Sequence, residues 1–298
     1  MKSIYLSDSG IKVSPLIYSF WRALDDPNGL SYETIENKVK SCLSLGINTF
    51  DHADFYGDFN VEKLFGKAIK RLKISRDKLV ISSKYGFNLV HPSRPSTRIK
   101  HYDNSPQHIR KCVEQSLKNF NTDYLDILLL SQFDPITATD ATASELTKLV
   151  ISGKVRHIGV ANFTVHQHQL LQSRLEIPIL TNHIKLNVLE TEALQNGTID
   201  FIKQQYSKPL AWAPLAGGRI KDKNDISTLN VRQTLSRLAK KYSTDEEGLA
   251  IAWLLKLEAL PVLGNTDLNK IKRAASAVDL KIDRQDWYEI YFSSQNTI

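Results

Sequence analysis

Short apolar runs rich in β-branched residues recur along the chain, each followed by a longer stretch whose apolar positions fall at helical spacing. The runs cover residues 16–20, 47–50, 79–83, 124–130, 155–160, 177–180, 210–213 and 260–263. This alternation predicts βαβ units. Runs apolar on both faces belong in a parallel sheet covered by helices, and eight of them predict closure into an α/β fold of the (β/α)8 TIM-barrel type. Ahead of the first run, residues 4–6 and 11–13 flank a turn-rich stretch at 7–10, the pattern of an N-terminal β-hairpin. Further helices are expected after the last strand.

Helix ends are marked by their own chemistry. Ser105 and Pro106 precede Ile109, Cys112, Val113, Leu117 and Phe120, an apolar stripe behind an N-cap and a first-turn proline. Thr244 and Glu247 form a candidate capping box ahead of Leu249, Ile251, Trp253 and Leu254. Gly46 stands just past the stripe Ile35, Val39, Cys42 and Leu43, where a left-handed residue ends a helix.

Composition adds bounds rather than a function. The 298 residues are 42% apolar and 24% charged, enough for a large core and too little charge for disorder. A barrel uses about 250 residues or more, and no linker or composition shift divides the chain, so residues 1–298 are expected to form one domain. Lys and Arg exceed Asp and Glu by 39 to 32, a net charge of +7 that suits small anions. The basic residues Lys67, Lys70, Arg71 and Lys73 form a short scattered group that reads as a solvated helix face and not as a nucleic-acid surface. Cys42 and Cys112, the only cysteines, fall on apolar helix positions and read as core. Neither a signal segment nor an apolar stretch of membrane-spanning length is seen, so the cytoplasm is the expected location.

In a barrel the carboxyl ends of the strands converge on one face, where sites are built. Asp51 follows the second run, Lys84 the third, Ser131 the fourth, Asn162 the fifth, Asn182 and His183 the sixth, and Trp212 lies within the end of the seventh; Tyr56 lies in the loop after Asp51. A buried lysine and a buried aspartate are tolerable only as a pair. A neighbouring ammonium favours the phenolate of a tyrosine, which makes its hydroxyl a better proton donor and acceptor for carbonyl chemistry. No metal site is expected: His166 and His168, two residues apart on a helix, face different directions and read as solvent-exposed. His52 is expected to point away from Asp51. The polar stretch with His91, Arg94, Arg98, Lys100 and His101 reads as a loop at the mouth.

Asn48-Thr49-Phe50-Asp51-His52-Ala53-Asp54-Phe55-Tyr56-Gly57 resembles the second-strand signature of the aldo-keto reductase superfamily. The similarity continues through Ser83-Lys84, Tyr124-Leu125-Asp126-Ile127-Leu128-Leu129-Leu130, Gly153-Lys154-Val155-Arg156-His157-Ile158-Gly159-Val160-Ala161-Asn162-Phe163 and Ala211-Trp212-Ala213-Pro214-Leu215-Ala216-Gly217-Gly218. With Phe20-Trp21-Arg22 near the start, the order is closest to the short bacterial oxidoreductases of that superfamily. The resemblance implies reduction of a small aldehyde or ketone with NADPH bound outside a Rossmann fold, in keeping with the absence of G-x-G-x-x-G. It implies Tyr56 as proton donor, Lys84 as the group that tunes it, and Asp51 as the anchor of Lys84. Asn162 would contact the nicotinamide carboxamide and Trp212 would stack on its ring. Leu215 and Gly217 belong to the implied cofactor segment after the seventh strand, and Trp21 to the substrate wall.

Several family positions are altered. Ser131 replaces the usual catalytic histidine; its shorter hydroxyl still donates but cannot carry positive charge. Ala161 replaces a serine and His183 a glutamine beside the nicotinamide amide, and Ser19 replaces a glycine under the ribose. Gly264, Asn265 and Thr266 lead into a helix whose amino end would receive the adenosine phosphate. There Asp267 stands where the family has a cation, and an acid favours a free ribose hydroxyl. Lys270 and Arg273 are nearby cations able to compensate, so NADP(H) stands first and NAD(H) competes. Asp267 reads equally as a first-turn helix acid.

Two functions follow from these residues. One is an NAD(P)H-dependent carbonyl reductase, attenuated at Ser131. The other is a nucleotide-binding or partner-binding barrel with little turnover, motivated by Ser131, Ala161 and Asp267.

Overall fold

The computed structural model describes residues 1–8 and 10–295. Ser9, in the predicted hairpin turn, and residues 296–298 of the predicted domain lie outside the described residues. Eight parallel strands close into a barrel in chain order. They are β1 (Ile17–Ser19), β2 (Thr49–Asp51), β3 (Val80–Tyr85), β4 (Leu125–Leu130), β5 (Val155–Ala161), β6 (Ile179–Lys185), β7 (Leu210–Trp212) and β8 (Leu260–Leu263). The ring closes through the pairing of Val262 with Ile17 and Leu263 with Tyr18.

Helices cover the outside. They are α1 (Tyr32–Ser44), α2 (Val61–Leu72), α3 (Pro106–Phe120), α4 (Thr139–Ile151), α5 (Val165–Gln172), α6 (Thr198–Gln204), α7 (Leu229–Lys241), α8 (Glu246–Lys256), α9 (Leu268–Ser276) and α10 (Arg284–Ser293). Ser105 caps α3 by accepting from the His108 N–H, with Pro106 in the first turn. Gly46 takes its left-handed place after α1, at φ 80°. The cap of α8 is displaced by one residue from the Thr244 expectation: Asp245 accepts from the Gly248 N–H at 2.7 Å.

One end of the barrel is plugged and the other is left for chemistry. Ile4–Tyr5 and Lys12–Val13 form the N-terminal hairpin, and Leu6 and Val13 pack with the lumen residues Ile17, Val80, Ile127, Leu129, Leu180, Leu210, Leu260 and Val262. This apolar filling closes the amino ends of the strands, so polar side chains gather at the carboxyl ends. A second antiparallel ribbon, Phe87–Asn88 with His101–Tyr102, lies in the β3–α3 connection and was not foreseen. No helix among the described residues is long and apolar enough to cross a membrane.

Two expectations change. Lys84, Asn182 and His183 lie inside β3 and β6 and not after them, because both strands run on past their apolar stretch. His168 is buried, its ring 5.0 Å from that of Phe201, whereas His166 is exposed as expected.

Candidate active site

Three groups predicted to meet do meet. Asp51 ends β2, Lys84 lies near the end of the adjacent β3, and their strands pair in register through Asp51 and Ser82. The Lys84 ammonium donates to Asp51 Oδ1 at 2.6 Å and to the His52 carbonyl at 2.8 Å, and both side chains are buried. Lys84 Nζ lies 4.9 Å from the centre of the Tyr56 ring, and the Tyr56 hydroxyl faces Lys84 and Ser19. Ser19, at the end of β1, is buried beside them and accepts from the Trp21 N–H at 3.3 Å.

Tyr56 is delivered by an unusual turn. Past Asp51 the chain folds back, the Tyr56 N–H donating to the Ala53 carbonyl at 3.0 Å. Gly57, Asp58 and Phe59 then follow with φ of 57°, 52° and 64°. Such left-handed backbone costs a side-chain-bearing residue about 1–2 kcal/mol, so this segment is held by its surroundings. Glycine is required at 57 also by space: a Cβ there would come within 2.5 Å of Val61 Cγ2 and 2.9 Å of Leu30 Cδ2.

The electrostatics of the cluster follow from burial and pairing. Burial opposes the charge on Asp51, but the Lys84 ammonium outweighs it and holds the carboxyl below its ordinary value. Burial likewise opposes the charge on Lys84, and Asp51 outweighs it, so the ammonium is held above the usual lysine range. For Tyr56 the balance is the reverse of the expectation from sequence. Burial pushes the phenol above its ordinary value and outweighs the pull of Lys84, so the hydroxyl keeps its proton. His183, buried in β6, is pushed down to about 3 by desolvation, and its Nε2 has no hydrogen-bond partner. His52 points outward as expected and stacks among Phe20, Phe65 and Phe120.

A second group of predicted residues is joined across three strand ends. Asn162, just after β5, sits at φ 59°, a conformation asparagine tolerates. Its Nδ2 donates to the Ser131 carbonyl at 3.4 Å, and its Oδ1 accepts from Trp212 Nε1 at 2.9 Å. The half-exposed Trp212 ring is therefore fixed by its own N–H. Trp21 is 60% exposed, its ring edge-on to Tyr56 with centres 5.4 Å apart. Leu215 is buried, while Gly217 is exposed in a left-handed turn where a Cβ would meet nothing within 4 Å.

The anionic-ligand side departs from expectation. Asp267 is the N-cap of α9, accepting from the Asn269 N–H at 2.8 Å, so its carboxylate is engaged by the helix itself. Lys270 and Arg273 are not idle cations. Lys270 Nζ lies 3.4 Å from Glu247 Oε1, and Arg273 reaches Asp245 at 3.0 Å and Glu247 at 3.5 Å. Lys221, which sequence reasoning missed, joins them 3.4 Å from Glu247. Gly264, Asn265 and Thr266 are half-buried between this cluster and the β1–α1 loop.

The match to a family model described as the aldo/keto reductase family runs over residues 15–291. The chain belongs to that family. This aldo/keto reductase is 37% identical over 293 residues to the 6-dehydroglucose reductase of Agrobacterium fabrum, covering 98% of this chain and 97% of the relative. It is 36% identical to the uncharacterized oxidoreductase YcsN of Bacillus subtilis, over 99% of this chain and 98% of that one. To the oxidoreductase YdhF of Escherichia coli it is 35% identical, over 97% and 96%. Its fold is that of the thermostable aldo-keto reductase Tm1743 crystallised with the inhibitor epalrestat, with TM-score 0.84 at 22% identity over 98% of this chain and 100% of the other. Membership makes the protein an oxidoreductase; the roles of individual side chains rest on the geometry above.

Proposed function

We propose that this aldo/keto reductase reduces a small aldehyde or ketone, with Tyr56 giving the proton to the carbonyl oxygen, and that residues 1–298 act as one domain. The observation that carries the reading is the Lys84–Asp51 contact at 2.6 Å with the Tyr56 ring beside it. Tyr56 holds a proton at neutral pH, donates it as negative charge develops on the oxygen, and leaves a phenolate that the Lys84 ammonium stabilises. Asp51 fixes the ammonium in place and is not itself a proton donor. Ser131 supplies a weaker second donor position than a histidine would.

The donor set suits a nicotinamide nucleotide. His183 Nε2 is a buried polar atom without a hydrogen-bond partner, on the strand between those that lead to Asn162 and Trp212. Asn182, next along β6, turns to the other face and donates to the Phe163 carbonyl, and Ser19 stands at the end of β1, in register with Asp51. When bound, such a nucleotide supplies the hydride that the carbonyl carbon takes up. Leu215 and Gly217 would flank it, with Gly264, Asn265 and Thr266 under its phosphate end. Lys221, Lys270 and Arg273 stand at that end against three carboxylates, Asp245, Glu247 and Asp267. Asp267 is engaged by its own helix, and the three half-exposed cations are the groups left to meet a 2′-phosphate, which puts NADP(H) ahead of NAD(H). Tryptophan-fluorescence titration with NADPH and with NADH tests this directly. Quenching by NADPH at lower concentration is expected, and silence with both would remove the nicotinamide reading. The name 6-dehydroglucose reductase, carried by two relatives, supplies the first compound to assay.

The second reading is a nucleotide-binding or partner-binding barrel with little turnover, favoured by Ser131 in the buried position after β4. Quenching without reduction of any carbonyl would select it.

A further inference from the structure

Lys38 lies on α1 among the core residues Ile35, Val39 and Cys42, yet it is charged and only 6% exposed. A buried ammonium needs an anion and acceptors. Lys38 has an anion in Asp26, whose Oδ2 is 2.9 Å away and whose other oxygen accepts from the Asn28 N–H at 2.9 Å. Burial opposes charge on Asp26, but the Asn28 N–H and Lys38 hold its carboxyl below the ordinary value. The second acceptor is the backbone carbonyl of Thr266. Immediately before it, the Asn265 carbonyl accepts from the hydroxyl of buried Tyr18 at 3.1 Å.

Two successive carbonyls of the β8–α9 segment are thus drawn inward, one by β1 and one by α1. All peptide bonds among the described residues are trans. In a trans peptide the N–H points opposite to the C=O, so the N–H groups of Thr266 and Asp267 are turned outward. Neither has an acceptor among the described residues. The same ion pair begins in the loop that carries Trp21 and Arg22, and a Cβ on Gly264 would lie 3.9 Å from Arg22 Cγ.

The geometry points to Lys38 as a positioning residue for nucleotide binding. Its ammonium, held by Asp26, fixes the Thr266 carbonyl so that two backbone donors face the phosphate end of the ligand, and it locks that segment to the loop at the substrate mouth. Lys38 touches no ligand; it acts through the backbone. This inference rests on the nucleotide reading above and deepens it.

The test is titration of the full-length protein and of Lys38→Met with NADPH, by calorimetry or tryptophan fluorescence, alongside kcat at saturating nucleotide and thermal melting. Loss of a charge-assisted hydrogen bond should weaken NADPH binding about tenfold or more, with kcat within about twofold of the parent. Equal dissociation constants in a cooperatively melting Lys38→Met would overturn the inference. Should that variant not fold, Asp26→Asn, which takes the anion from the Lys38 ammonium, carries the test: a loss of about threefold to tenfold is expected, and binding equal to the parent overturns it. A parent that binds neither NADPH nor NADH would instead remove the nucleotide reading itself.

Discussion

The Lys84 ammonium has three protons, and two are spent on fixed acceptors, Asp51 Oδ1 at 2.6 Å and the His52 carbonyl at 2.8 Å. The remaining direction is toward Tyr56. A lysine so constrained cannot swing to solvent, and its charge is delivered to one place.

Removing one member of this buried pair strands the other. Lys84→Met is expected to cost about 3–5 kcal/mol of stability, read by urea denaturation. Combining it with Asp51→Leu should recover most of that loss while leaving carbonyl reduction abolished. Recovery of activity with stability would mean that the pair serves only the fold.

Ser131 follows β4 and is buried next to Asn162, which donates to its carbonyl. Ser131→His should raise kcat/KM for a reactive aldehyde by up to about a hundredfold, the lower end of what one oxyanion donor is worth. Steady-state kinetics of the purified variant check this, and a folded variant with no gain would place the rate limit elsewhere.

Glu247 gathers Lys221, Lys270 and Arg273. Glu247→Gln should free them for a 2′-phosphate and lower the NADPH dissociation constant about fivefold relative to that of NADH, as befits half-exposed cations. Parallel titrations with the two nucleotides decide it. An unchanged ratio would detach this cluster from cofactor choice.

Two buried imidazoles set an acid limit on stability. His52 and His183 are both pushed down to about 3, chiefly by desolvation. Their ordinary value is about 6.5, so below that pH the unfolded chain takes up protons the folded chain refuses. Stability is full above pH about 6.5 and falls steadily as the pH drops toward 3. His52→Leu, which keeps the ring site apolar among Phe20, Phe65 and Phe120, should reduce the loss between pH 6.5 and 5 in thermal melts. An identical slope would assign the acid sensitivity to other groups.

The barrel was legible because its strands are apolar on both faces, and the reactive cluster because an aspartate and a lysine closing such runs have no partner but each other. Where polar side chains line the upper lumen that signal fails. Strand β6 continues through Thr181, Asn182 and His183, which no apolar pattern marks. His168 looked solvated from its polar neighbours, but its ring faces Phe201 of α6, a contact fixed by tertiary packing alone. Lys38 reads as one more helix lysine, since only the positions of Asp26 and Thr266 in space give it an anion and an acceptor. The carboxylates Asp245 and Glu247 around Lys270 and Arg273 were likewise hidden, because they come from the start of another helix.

The most direct measurement is single-turnover reduction of an aldehyde by Tyr56→Phe preloaded with nucleotide. With Lys84 and Asp51 intact, nucleotide binding should match the parent while the reduction step slows by about a hundredfold or more. A Tyr56→Phe protein that reduces the aldehyde at the parent rate would contradict the assignment of the phenol as proton donor.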